Sequence, residues 1–287
     1  MKTKKIFITI LFVTVVGCAA GLHESSLPNA QVKAGAIRVT TCNTGDLGGH
    51  KRLKTTELAD FLKKWCSADI LFLQEIRGEE ETEIIADALK MKHKLFLNNN
   101  QKKNGIAIVS RFPMENPDHI YFKSSPRGYG AILAYATINN VMIQLVSVHF
   151  DRNDNVKSRD GSVEVTPKSA LRFLKEEVFG DTVRSRSAEE LIQWLKQKGE
   201  LNMIVGGDFN TIPASRAINT LKSLLKDAME RSVVGFGGTY TRLSGPLPAR
   251  IDFIFHSPEL KCLEASIIRK SPGDHYPVTA LFKLPQE

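Results

Sequence analysis

Cysteine is scarce in this chain, four in 287 residues, at positions 18, 42, 66 and 262. Their spacing matches no zinc motif. With Cys18 set apart for the reason given below, three remain. An odd number permits at most one intramolecular disulfide and leaves a thiol over. Cys42 sits in a β-branched run and reads as a small core residue. Also missing is any Pro-, Gly- or Ser-rich linker, internal repeat or low-complexity tract. The length, which permits one large or two small domains, therefore reads as one sizeable domain. No apolar run is long enough to cross a bilayer comfortably; Ile6 to Val16 comes nearest and is too short.

That short run has a reading of its own. Lys2, Lys4 and Lys5 precede it and Val15-Val-Gly-Cys18 closes it, the layout of a signal peptide. The closing residues resemble a bacterial lipobox, in which the cysteine is lipidated and becomes the first mature residue. An ordinary cleavage site after Gly17 or Ala20 is the other reading. The lipobox implies residues 1–17 as signal peptide, 18–34 as lipidated cysteine and tether, and 35–287 as the folded domain. It places the protein in the cell envelope, in the outer membrane or facing the periplasm, since Ala19 is not the aspartate of the best-known sorting rule. Three of the charges in the formal net +8 leave with residues 1–17, which hold no acid, so the mature chain carries +5. That favours a polyanionic substrate or a membrane surface, weakly. A denser basic stretch runs from Arg152 to Arg186, with acids interspersed, and reads either as a substrate-facing groove or as a solvated loop. Lys102-Lys103 reads as a hairpin tip.

The run Met203-Ile-Val-Gly-Gly-Asp-Phe-Asn-Thr-Ile-Pro213 is the most informative. An apolar strand ends in two glycines and releases Asp208 and Asn210. Two residues apart on an extended backbone, they share a side and offer three oxygens and an amide donor. A metal ion or phosphate-bound water fits there; so does an Asx turn. Five other segments carry polar residues at strand ends. Ile37 to Thr41 leads to Asn43, and Asp69 to Glu75 ends in a carboxylate. Val141 to His149 ends in an imidazole, with Asp151 following. Arg250 to Phe255 places Asp252 inside an apolar strand. Gly273-Asp-His-Tyr-Pro277 sets an acid and an imidazole before a last strand, Val278 to Leu284. Acids in apolar strands are costly to bury unpaired, so six such endings point to a shared site. Between them, Leu58, Phe61, Leu62 and Trp65, and Leu191, Trp194 and Leu195, have helical spacing. Ser187-Ala-Glu-Glu190 predicts a capping box for the second helix.

The ordered set Asn43, Leu73-Gln-Glu75, Ser147-Val-His149, Gly207-Asp-Phe-Asn210, Arg250-Ile-Asp-Phe253 and Gly273-Asp-His275 resembles the endonuclease/exonuclease/phosphatase superfamily. That group includes pancreatic-type deoxyribonuclease, exonuclease III-like repair nucleases, sphingomyelinases and inositol-polyphosphate 5-phosphatases. The likeness spans residues about 36 to 284. It implies a four-layer α/β sandwich, two mainly antiparallel sheets packed face to face with helices outside. It also implies hydrolysis of phosphoesters with Mg2+ or Mn2+, by in-line attack of an activated water.

Carried over residue by residue, the resemblance implies Asn43, Glu75 and Asp274 as metal ligands, with Asp252 and Asp274 also open as hosts of a second ion. Asp208 would position or deprotonate the water, and Asn210 would hold it together with a phosphoryl oxygen. His149 and His275 would donate to non-bridging oxygens, with Asp252 as the spatial partner of His275. Asn43, Arg127 in Ser125-Pro-Arg-Gly-Tyr129, and Arg152 are the substrate-side candidates. The substrate stays open. Pro248-Ala-Arg-Ile-Asp252 stands where 5-phosphatases usually carry Trp-Cys-Asp-Arg, and no aromatic-tipped hairpin of the sphingomyelinase kind is present. The basic stretch puts a nuclease or phosphodiesterase ahead of a lipid or small-molecule phosphoesterase, and a non-catalytic binding lipoprotein last. A monomer is expected.

Overall fold

Strand segments buried along nearly their whole length need cover on both faces, and residue alternation shows what supplies it. In the computed structural model β1 (Ala36–Asn43) is followed by α1 (Thr55–Trp65), β2 (Ile70–Ile76), α2 (Glu79–Ala88), β3 (His93–Asn98) and β4 (Gly105–Ser110). Next come β5 (Glu115–Tyr121), β6 (Gly130–Ile138), β7 (Val141–His149), β8 (Val163–Glu164), α3 (Pro167–Phe179), α4 (Val183–Gln197) and β9 (Asn202–Asp208). The chain closes with α5 (Arg216–Lys222), β10 (Lys226–Asp227), β11 (Leu243–Ser244), β12 (Asp252–His256), β13 (Lys261–Ile267) and β14 (Val278–Lys283). The structure describes residues 35–45, 53–100, 104–152, 163–164, 167–199, 202–230, 238–241, 243–244 and 249–285. The signal peptide, Cys18, the tether and the Lys102-Lys103 tip lie outside them.

Two six-stranded sheets form, in the orders β13-β14-β1-β2-β4-β3 and β10-β12-β9-β7-β6-β5. Each is antiparallel except for one parallel pair, β1–β2 and β7–β9. In β2, Ile70 and Phe72 join the cluster between the sheets, while Leu71 and Leu73 pack outward with Leu58, Leu62 and Ile85 of α1 and α2. In β9, Ile204 faces inward, while Met203 and Val205 pack with Leu191 and Leu195 of α4 and Ile218 and Leu221 of α5. Helix, sheet, sheet, helix is the four-layer sandwich expected. The first glycine of the Gly-Gly pair has a packing reason: a Cβ on Gly206 would lie 2.4 Å from Phe72 Cδ2 of the facing sheet.

Three sequence expectations need correction. Helix α4 starts earlier than the Ser187–Glu190 box. Thr182 is its cap, accepting the Ser185 N–H at 3.1 Å, and Ser185 Oγ answers the Thr182 N–H at 2.9 Å. Ser187 instead bonds Ser124 at 2.9 Å, and the Glu190 carboxylate accepts the N–H groups of Lys123 and Ser124 at 2.7 and 3.0 Å. The box residues thus anchor a loop, a tertiary use that helix spacing cannot reveal. The stretch from Arg152 to Arg186 is not one loop either, since it holds β8, α3 and the first turn of α4. Asp252 opens β12 rather than sitting inside it. Cys42, Cys66 and Cys262 are all free thiols, and burial pushes each of them above the ordinary thiol range.

Candidate active site

The alternation that builds the core also builds the site. Ile37 and Val39 face the other sheet, so Thr41 and Asn43 continue that face; Ile143 and Leu145 lead to Ser147 and His149; Ile204 leads through Gly206 to Asp208; Asp252 stands two residues before Ile254 on the same face. The inter-sheet layer therefore ends in polar residues. A neutral band comes first, with Thr41 Oγ1 donating to Gln74 Oε1 at 3.3 Å and Gln74 Nε2 to Ser147 Oγ at 3.3 Å. Beyond it the charged groups meet. Asp252, Asp208 and His149 are register neighbours across β12, β9 and β7. Asn43 reaches over from the other sheet, its Nδ2 donating to Asp208 Oδ2 at 2.9 Å.

Glu75 and Asn210 get there by leaving regular geometry. Strict alternation would send Glu75 to the outer face, beside Leu71 and Leu73. Instead a bulge between Gln74 and Ile76 leaves it outside the ladder, with φ of 60°, a device that re-aims a side chain. Its carboxylate comes to rest against Gly45. A Cβ there would lie 2.2 Å from Glu75 Oε2 and 3.0 Å from Asn43 Oδ1. Asn210 has φ of 50°, which corrects the extended reading of Asp208-Phe-Asn210. Its N–H donates to Asp208 Oδ1 at 2.8 Å, and its Nδ2 to Asp208 Oδ2 and the Phe150 carbonyl, both at 3.0 Å. The Asx turn and the site are thus one structure, and the turn aims the Asp208 carboxylate.

His275 completes the arrangement. A Cβ on Gly273 would lie 2.4 Å from the Gly45 carbonyl, so the 273–275 segment sits directly on the Asn43–Gly45 turn. His275 Nδ1 lies 2.9 Å from Asp252 Oδ2, and its Nε2 is 3.9 Å from both Asp208 Oδ2 and Asp274 Oδ1. His149 Nε2 is 3.6 Å from Asp208 Oδ2. The partner that sets the His275 tautomer is therefore Asp252, not its sequence neighbour. Burial alone would lower the His275 pKa, but Asp252 and then Asp208 outweigh it and raise it to about 10. Burial pushes Asp208 the other way, up to about 8; His275 opposes that shift, Asp252 adds to it, and the Asn210 and Asn43 donors oppose it.

A hard divalent cation fits one part of this pocket. Glu75 Oε2 and Asn43 Oδ1 converge over the missing Cβ of Gly45, and Asp274 follows the glycine packed on that turn. All three donors are oxygens. Asp208, Asp252 and His275 also bring ligand atoms within 4.8 Å of one another. Of these, Asp208 already accepts three N–H donors, and Asp252 Oδ2 faces His275 Nδ1. Asp252 Oδ1 is buried without a hydrogen-bond partner among the described residues, so His275 supplies the compensation this carboxylate needs.

Arg127 lies in the turn at the rim, where its guanidinium pairs with the buried Asp151 and its N–H donates to Asp151 Oδ2 at 3.3 Å. Arg152 is exposed, directly after Asp151. Several residues here escaped the sequence reading. The Tyr129 ring packs against His149 at a tilt of 52°, with centroids 4.3 Å apart, and its hydroxyl pKa is raised by burial and then by Glu75. Tyr240 stands edge-on to His275 at 5.2 Å. Thr239 Oγ1 accepts the N–H groups of Ile251 and Asp252 at 2.9 and 3.1 Å. Tyr129 could have been found in the element that holds Arg127; Thr239 carries no local signal.

Comparison with known proteins agrees with this architecture. Residues 43–275 match the Endonuclease/Exonuclease/phosphatase family. No curated protein matches the sequence significantly. Among solved structures, an endonuclease/exonuclease/phosphatase family protein from Bacteroides thetaiotaomicron superposes with a TM-score of 0.66 at 17% identity, covering 88% of this chain and 98% of that one. A mannosyl-6-phosphatase of the same organism gives 0.64 at 17% identity, covering 86% and 100%. TDP2 from D. rerio, solved with a single-strand DNA product, gives 0.64 at 15% identity, covering 87% and 99%.

Proposed function

The chain belongs to the endonuclease/exonuclease/phosphatase family, a family of phosphoester hydrolases, and from that premise we propose a divalent-metal-dependent phosphodiesterase in which an activated water attacks phosphorus in line. The observation that carries it is the Asp208 carboxylate, aimed by Asn43 and Asn210 and flanked by two imidazoles. Asp208 takes the proton of the attacking water. Asn210 holds that water, and its amide steadies the carboxylate. His275, kept protonated by Asp252, and His149 donate to the non-bridging oxygens as negative charge builds. Asn43, Glu75 and Asp274 would hold Mg2+ or Mn2+, which neutralises phosphate charge when bound. Arg127, steadied by Asp151, and Arg152 face the rest of the substrate. The direct test is a panel: residues 30–287 with magnesium or manganese, offered plasmid DNA, bis-p-nitrophenyl phosphate, sphingomyelin and inositol phosphates. Failure on all four would defeat the proposal.

Nucleic acid is the first substrate to test, and the ion pairs narrow the case for it. Arg172 pairs with Glu176, Arg184 with Glu177, and Arg186 with Asp181. Of the rest of the basic stretch, Arg152 and Lys175 are exposed, and Lys157 and Arg159 lie outside the described residues. These pairings favour a second reading, a small phosphoester or lipid headgroup. Salt separates the two. If DNA is the substrate, its affinity falls by roughly 0.9 log units per phosphate contact for each tenfold rise in salt. Arg152→Ala is then expected to flatten that slope by about one contact while leaving bis-p-nitrophenyl phosphate turnover nearly unchanged. An unaltered slope would remove Arg152 from the DNA path.

We also propose export and lipid anchoring at Cys18, supported by the basic start, the short apolar run and Val15-Val-Gly-Cys18. One acyl chain anchors marginally, whereas several hold stably. The wild-type chain is therefore expected to sediment with membranes and to incorporate labelled palmitate, and Cys18→Ser to incorporate none. Recovery of unlabelled, wholly soluble wild-type protein would end this proposal.

A further inference from the structure

Behind the pocket, between α3 and α4, lies an ion pair that the chemistry above leaves unused. Glu177 and Arg184 are both almost fully buried. Arg184 grips Glu177 with two donors, Nη2 to Oε1 and Nε to Oε2, the latter at 3.3 Å. Among the described residues each partner has one further hydrogen bond, and the two lead to the segments that follow the neighbouring strands β9 and β7. Glu177 Oε2 accepts the hydroxyl of Thr211, the residue after Asn210. Arg184 Nη1 donates to the Asp151 carbonyl at 3.4 Å. Asp151 in turn accepts the Ser125 hydroxyl at 2.6 Å and holds Arg127. Buried ion pairs contribute little net stability over an apolar pair of the same shape, because desolvation offsets the attraction. One that ends on two catalytic segments has geometry to supply.

We propose that Glu177 and Thr211 are positioning residues for the phosphoester reaction, with Arg184 fixing Glu177 in place; this rests on the functional reading above. Asn210 links Thr211 to the reacting carboxylate. Its left-handed backbone is a conformation a non-glycine residue adopts at a cost, and it persists where neighbours over-determine it. The anchored hydroxyl of Thr211, buried one residue on, is such a restraint. Without it the turn is free to relax, and the two Asn210 donors that aim Asp208 move with it. Small displacements at a reacting carboxylate cost rate more than binding.

Removing Glu177 would strand a buried guanidinium and endanger folding, so the test falls on Thr211. In the full chain, Thr211→Val keeps the shape and removes one hydroxyl and no charge, and Thr211→Ser restores the hydroxyl. The valine variant is expected to lose on the order of 10-fold to 10²-fold in kcat on bis-p-nitrophenyl phosphate with KM little changed. The serine variant should recover most of that loss. Amide exchange at Phe209 and Asn210 should quicken in the valine variant while exchange at Ile204 to Gly207 stays as it was. A valine variant with wild-type exchange at Asn210, or one with wild-type kcat, overturns the proposal. A wild-type chain inactive on every phosphoester defeats the functional reading instead, and the exchange comparison still decides whether Thr211 holds the turn.

Discussion

Asp208→Asn is expected to lower turnover by about 10²- to 10⁴-fold, the range of a general base removed from a positioned site. The substitution preserves volume but takes away the group that accepts the water's proton. It also reverses a local match. Asp208 receives the Asn43 amide, the Asn210 N–H and the Asn210 amide, and an asparagine amide turned toward those donors would oppose them. Part of the loss is therefore misaimed geometry, and the melting temperature should be read alongside kcat. A folded variant within about tenfold of wild type would remove Asp208 from the proton-accepting role.

His275→Ala is expected to cost about 10²- to 10³-fold in kcat, the effect of deleting one donor to a developing oxyanion. Asp252→Asn should fall between this variant and wild type and carry a signature of its own. Asp252 is the largest influence raising the His275 pKa to about 10. The imidazolium is the form present below that value, so losing the carboxylate lowers the pH at which the proton leaves. The alkaline limb of the kcat profile should therefore move to lower pH in Asp252→Asn. An unmoved limb would mean that His275 acts neutral or that another group sets the limb.

Much of this was legible in the sequence, for a reason that individual residues make plain. Asn43, His149, Asp208 and Asp252 continue the period-two alternation of the strands that carry them, so apolar patterning fixes both the core and the face on which they emerge. The order of motifs supplied the rest of the fold. What stayed hidden is non-local. Glu75 reaches the pocket only through a bulge, and Asn210 only through a left-handed turn that reads as extended in sequence. Thr239 supports Asp252 from 13 residues away, and Asp151 binds Arg127 across 24. The Ser187–Glu190 pattern misled because its side chains bond a loop from another part of the chain. The Arg152 to Arg186 stretch stayed open between groove and solvated face because counting cations does not tell which of them are paired, as Arg172, Arg184 and Arg186 are.

We propose that the oxygen ligands of Asn43, Glu75 and Asp274 make this pocket a metal-dependent phosphoesterase. The measurement that tests it most directly is hydrolysis of bis-p-nitrophenyl phosphate by residues 30–287, first in excess chelator and then as magnesium or manganese is titrated back, with Glu75→Gln in parallel. Activity should vanish with chelator, return with either ion, and need a higher metal concentration in the Glu75→Gln variant. Full wild-type activity in excess chelator, or identical metal requirements for the two proteins, would contradict the account.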